Sequence, residues 1–204
     1  MWIAVGSPLA GMDHQLLTAH MAQHLLLMTV AAPLILMSLS GLALPWGTNH
    51  PVICWLAATA AVIGWHVPAL FELGMRSAGW HTFEHATFLA AGLLFWWPVI
   101  QPWGSLANHP RWSVPLYLFL ATLPCDALSA FLTFCGRVVY PHYQALGISP
   151  LADQERAGAL MWVWVTFVYL APAAAITIRM LSPRAQTKDT ALYAASAARD
   201  GYIR

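Results

Sequence analysis

Five long apolar runs, separated by loops rich in helix breakers, leave this chain few folds to choose from. They are Leu16–Leu39, Pro51–Val67, His81–Ile100, Val114–Thr133 and Ala157–Met180. A helix crossing a bilayer needs roughly 20 mostly apolar residues. The second run is short, and Pro68 marks its predicted end. Only 8% of the residues are charged and 59% are hydrophobic, with a mean hydropathy of +0.61. A soluble domain carries about 25% charged residues, so charge cannot cover this surface. In lipid every backbone N–H and C=O must be paired within the protein, which makes each run a helix. The predicted fold is therefore all-α, a polytopic transmembrane bundle of about five spans.

The loops follow the same logic. GLALPWGTNHP follows the first run, QPWGSLANHPRW the third, and FCGRVVYPHYQALGISPLADQERAG, the longest and most polar, joins the fourth to the fifth. The division along the chain is an N-terminal segment at 1–15, a helical membrane domain at 16–180 and a polar tail at 181–204. Residues 1–11 lack the basic stretch of a secretory signal and are too short to span. Several of the 11 tryptophans sit near run ends (Trp46, Trp65, Trp80, Trp96, Trp97, Trp103, Trp112), as an interfacial aromatic belt requires. The net charge of +1 offers no basic surface for nucleic acid. Cys54, Cys125 and Cys135 form no CxxC pair; they read as buried thiols, with one Cys125–Cys135 bridge conceivable.

Lys and Arg in short loops set orientation. Arg111, Arg179, Arg184 and Lys188 fall on one side, and Arg76, Arg137 and Arg156 on the other. That margin puts the C-terminus in the cytoplasm and residues 1–15 outside. The arrangement then sorts the histidines. His14, His20, His24, His66, His81, His85 and His142 gather at the outer face, and only His50 and His109 lie inside.

Six of these histidines are the candidate site. His20 and His24 are four residues apart, so they share one helix face a turn apart, about 6 Å along the axis. Met21 and Met28 extend that stripe. His81 and His85 repeat the spacing with Glu84 beside them, His66 closes the second run, and His14 lies at the mouth. A single intramembrane histidine can be satisfied by a neighbouring carbonyl. Five at similar depth point to function, because polar groups in a bilayer are expensive. Imidazole suits copper, zinc, iron and nickel, while thioethers and thiols favour Cu(I). The expected cofactor is copper, bound by His20, His24, His66, His81, His85, His14 and Asp126, with Glu84, Met28, Asp153 and Gln154 around it. Haem held by His24 with His66 or His85 is the rival. Asp126 lies roughly 10 Å in from the end of its run at 1.5 Å per residue; a carboxylate that deep must be neutral, paired or metal-bound. It reads as a group orienting a liganding histidine through its ring N–H. Asp153 suits the positive end of the helix it opens, or, with Gln154, a place over the outer mouth. The pattern His81-x-x-Glu84-His85 also matches the inverted zincin spacing, so a membrane metalloprotease is a formal alternative.

The runs HMAQHLLLMTVAAPLILMS, WHVPALFELGMRSAGWHTFEHATFLAAGLLFWWPVI and SPLADQERAGALMWV together resemble the CtaG family of cytochrome c oxidase assembly factors. These are polytopic bacterial membrane proteins, unlike the single-span copper chaperone that sometimes shares the name. The resemblance spans roughly residues 14–180. It implies a non-enzymatic role in the bacterial inner membrane: maturing a haem–copper oxidase of the respiratory chain, by handling copper, with an oxidase subunit as partner. The alternatives are a haem-handling protein and a purely structural scaffold. The matching motif positions are His20, His24, Pro33, His66, Pro68, His81, His85, Trp97, Asp153, Gln154, Gly158 and Trp162. Members usually have six or seven spans, so the resemblance implies that some N-terminal family sequence is missing here or was never present.

Overall fold

The computed structural model describes residues 15–39, 50–100, 110–146 and 149–182. His14, His109 and most of the segments predicted at 1–15 and 181–204 lie outside the described residues. All five predicted runs are helical. In chain order the helices are α1 (Leu17–Ser38), α2 (Pro51–Trp65), α3 (Pro68–Met75), α4 (Ala78–Trp96), α5 (Ser113–Phe134) and α6 (Pro150–Leu181), with a 3₁₀ turn at Pro141–Leu146. Among the described residues α1, α5 and α6 are long and apolar enough to cross a membrane. A fourth crossing arises if α2 and α3, bent by 75°, form one broken span. The estimate of about five spans thus becomes three or four by length and hydropathy. The difference lies in α2, which stops after 15 residues, and in α4, whose 19 residues include His81, Glu84 and His85.

The bundle tolerates its prolines by two different routes. Proline inside a helix loses one hydrogen bond and clashes with the carbonyl four residues earlier. In α1 a π-helical turn at Leu27–Ala31 ends two residues before Pro33. In α6 a second one, at Thr166–Leu170, ends two residues before Pro172. Such widened turns absorb the displaced carbonyl and are frequent at functional sites. Pro124 sits inside α5 without one.

Small residues set the helix spacing, as expected where packing replaces the hydrophobic effect. A Cβ added at Gly92 of α4 would lie 2.7 Å from the Met28 carbonyl oxygen and 2.8 Å from the Ala32 Cβ, both on α1. One added at Gly158 of α6 would lie 2.5 Å from Thr133 Oγ1 and 2.9 Å from the Ser129 carbonyl on α5. Large apolar side chains such as Phe134, Phe167, Ile178 and Leu181 point outward, as a lipid-facing surface requires. The tryptophan belt needs correction. Trp80 and Trp112 are exposed, but Trp65 and Trp96 are buried, their indole N–H groups donating to Thr87 Oγ1 and the Met28 carbonyl. Apolar sequence context does not show which way a ring faces.

Two polar clips align the helix ends beneath the histidines. The α1 N-terminus has no cap from its own sequence. Asp153 supplies it from α6: the Leu17 N–H donates to Oδ2 at 2.6 Å, and the Thr18 hydroxyl donates to Oδ1 at 2.6 Å. Gln154 holds the turn after α5, its amide donating to the Leu132 and Arg137 carbonyls while its oxygen accepts from Val139 N–H at 2.7 Å. Gly136, with φ of +64°, makes that turn in the left-handed region that ends helices. Both side chains hold helix ends. Cys125 and Cys135 are free thiols, not a bridge.

Gly92→Val should destabilise the bundle by about 1–3 kcal/mol through overpacking against backbone, seen as earlier thermal unfolding in detergent. Gly64→Ala, where an added Cβ meets nothing within 4 Å, should leave the unfolding curve in place. Asp153→Ala should cost about 0.5–2 kcal/mol through the lost cap, with Asp153→Asn closer to the parent in the same melt.

Candidate metal centre

The site forms where the beginnings of α1 and α4 meet. Four-residue spacing on α1 places His20 and His24 on the inward face, their ring centroids 4.2 Å apart. The same spacing on α4 puts the His81 and His85 rings at 4.2 Å. Glu84 projects between the two pairs. Its Oε1 lies 3.4 Å from His20 Nε2 and 3.5 Å from His24 Nε2, and both Glu84 and His20 are 0% exposed. Gly74 of α3 makes room for the carboxylate, since a Cβ there would fall 2.5 Å from Glu84 Oε2.

These separations are long for hydrogen bonds but suit a shared ion. Bonds of about 2.0–2.1 Å to a first-row metal place neighbouring ligand atoms roughly 3.3–3.6 Å apart at tetrahedral to trigonal angles. Among the described residues, His20, His24 and Glu84 are the group whose ligand atoms all lie within 4.8 Å of one another. Neither Glu84 carboxylate oxygen and neither His24 ring nitrogen has a hydrogen-bond partner among the described residues. A buried carboxylate left in that state costs several kcal/mol or more. The donor set therefore fits a metal ion.

The walls are aromatic and closely packed. His24 stacks on Phe88 at 3.9 Å, and Phe71 meets the His20 ring edge-on at 5.2 Å. Beneath Phe71 lies Tyr140, whose hydroxyl donates to the His66 carbonyl at 3.1 Å. Burial, with smaller contributions from Glu84 and Cys135, holds this phenol well above its ordinary range. Tyr140 therefore remains a hydrogen-bond donor and ties the α2–α3 break to the loop after α5.

The other predicted residues take distinct places. His81 packs 5.4 Å from the His20 ring. His85 lies 5.2 Å from the His24 ring, but both its nitrogens are engaged, Nδ1 with the His81 carbonyl at 2.9 Å and Nε2 with Gln23 Oε1 at 3.2 Å. His66 is buried at the end of α2, outside the three-residue group, and borders a cavity that also reaches His24 and Met28. Asp126 is half-buried on α5 and outside that group, while its neighbour Cys125 lines the cavity. Consecutive helical residues point about 100° apart, so depth along α5 did not fix which face Asp126 takes. Two residues carry more than the sequence reading gave them. Glu84 is central rather than peripheral. Gln23, a lone amide in an apolar run beside His24, was passed over.

The family profile described as cytochrome c oxidase caa3 assembly factor (Caa3_CtaG) matches residues 1–182. No curated protein and no solved structure matches the chain. The match takes in α1 to α6 whole, with every residue of the histidine cluster and both polar clips, and the chain belongs to the CtaG family of cytochrome c oxidase caa3 assembly factors.

Proposed function

We propose that this protein binds copper at the His20–His24–Glu84 centre and passes it to a subunit of the oxidase it helps to assemble. Family membership gives the assembly role and implies a non-enzymatic one. The carrying observation is the buried carboxylate lying 3.4 and 3.5 Å from two imidazole nitrogens, with no hydrogen bond to either carboxylate oxygen among the described residues. His81 places a further imidazole 5.4 Å from the His20 ring, which suits a carrier that exchanges ligands. Imidazole binds several first-row metals; copper is selected here because a haem–copper oxidase is the client.

Haem suits the site less well. The cavity beside His24 and His66 is about 30 Å³, against about 300–1,000 Å³ for pockets that hold drug-sized ligands. His24 is stacked on Phe88, and both His85 nitrogens are engaged. The chain sits in the bacterial inner membrane, with the centre towards the outer face and the C-terminus in the cytoplasm, as the Arg and Lys distribution favours.

The decisive measurement is metal content of purified protein after copper loading, paired with copper content of the client oxidase in cells. His24→Ala and Glu84→Gln should each weaken copper binding by at least about 10–100-fold, the loss typical of removing even an outer-shell partner, and leave the oxidase copper-poor. Copper-free parent protein, or full oxidase metallation with both variants, would refute the proposal. An intense Soret band would favour haem instead.

A further inference from the structure

Beside the His–Glu centre, α1, α2, α4, α5 and α6 border a small cavity of about 30 Å³. Its wall is chemically unusual for a membrane bundle. It carries the imidazoles of His24 and His66, the thioethers of Met21, Met28 and Met161, and the Cys125 thiol. Three of the chain's eight methionines therefore line one cavity, each of them buried. Methionine is an ordinary gap-filler, so the thioethers alone would carry no inference. His66 does.

His66 is 7% exposed, and its Nδ1 lies 2.7 Å from the Val62 carbonyl oxygen. A carbonyl only accepts, so Nδ1 carries the hydrogen and Nε2 is left with a bare lone pair. That Nε2 is buried and has no hydrogen-bond partner among the described residues. An imidazole whose tautomer is fixed by a carbonyl on one nitrogen while the other, buried beside a cavity, is left without a partner is the usual arrangement of a metal-liganding histidine. A water molecule is the ordinary alternative occupant, but a buried water needs two to four polar partners. Thr29 and Tyr169 are the hydroxyl residues on this wall, and the Thr29 hydroxyl already donates to the Leu25 carbonyl and accepts from Trp164. Apart from the His24 and His66 imidazoles, the remainder is apolar or sulfur.

We propose that this cavity is a second metal site, selective for Cu(I), in which His66 Nε2 is the nitrogen ligand and Met21, Met28, Met161 and Cys125 supply the sulfur. Thioether and thiol ligands select Cu(I), whereas the His20–His24–Glu84 set is harder. His24 belongs to both places, with Nε2 3.5 Å from Glu84 and its ring in the cavity wall. An ion can thus pass from one site to the other by exchanging ligands around a single shared imidazole. The two π-helical turns bear on the same point, since Met28 and Thr29 lie in one and Tyr169 in the other. The proposal rests on the copper reading above and adds a site that reading does not require.

The test loads the full-length protein in lipid nanodiscs with Cu(I) under anaerobic conditions and reads copper per chain together with copper X-ray absorption. The parent should show both nitrogen/oxygen and sulfur scattering. Met28→Leu/Met161→Leu, close to volume-conserving changes, should weaken the sulfur scattering to what Met21 and Cys125 supply and lower the copper per chain, as selective loss of soft ligands requires. His20→Ala/Glu84→Gln should do the reverse and keep the sulfur-bound ion. Parent protein with nitrogen/oxygen scattering only, or sulfur scattering unchanged in the double leucine variant, overturns the second site and leaves the His–Glu centre standing. Parent protein that takes up no copper overturns both. The parent spectrum decides even if the double variant fails to fold.

Discussion

A carboxylate at zero exposure inside an apolar bundle is the constraint around which this structure is arranged. Removing Glu84 from water costs several kcal/mol unless something nearby compensates, and the two α1 imidazoles approach Oε1 at 3.4 and 3.5 Å. The surroundings look organised for that purpose. Gly74 leaves the space Oε2 occupies, and Gly92 lets α4 approach α1 until backbone nearly meets side chain. Phe71 and Phe88 exclude solvent from the flanks. A substitution at either glycine would therefore act on the site through helix separation, with no contact to its ligand atoms.

The same end of the bundle holds the polar hardware that fixes helix register. Asp153 caps α1 only one turn from His20, so the position of α6 sets where the histidine pair begins. Gln154, the next residue, ties down the turn that carries Tyr140, and Tyr140 reaches the His66 carbonyl. One dipeptide thus governs two of the three helices that bear the histidines of the site and its cavity. In lipid such hydrogen bonds are worth about 0.6–2 kcal/mol each. Their value lies in placing imidazoles to within a fraction of an ångström as much as in stability.

Much of this was legible in the sequence, and the gaps have physical causes. Apolar run length gave the helices, and the four-residue spacing of His20 with His24 and His81 with His85 gave the shared faces. Both are local properties, set by one helix. Glu84 was noticed but placed at the edge, because three-residue spacing from His81 says which face it takes and not what lies opposite. The partner of Asp153 is 136 residues away, beyond any periodicity, so its visible role was as a cap for its own helix. Asp126 shows the converse limit: depth along a helix carries no azimuth, and the residue lies outside the three-residue group. The 75° bend between α2 and α3 was announced by Pro68 only as a helix end.

A metal carrier differs from a metal enzyme in what its ligands must do. A resident cofactor is served by a rigid, saturated shell, whereas cargo needs a shell that can be left. On the copper reading, the geometry separates those demands along α1. His20 faces only the carboxylate side, while His24, one turn deeper, borders both the carboxylate and the sulfur-lined cavity. Hard and soft donors thereby sit on either side of one imidazole, and the oxidation state of the ion decides which side holds it more tightly. Cu(I) would be drawn inward past His24 and Cu(II) retained beside Glu84. Direction of transfer then requires no large motion of the helices, only rotation of side chains around a histidine whose ring is held against Phe88.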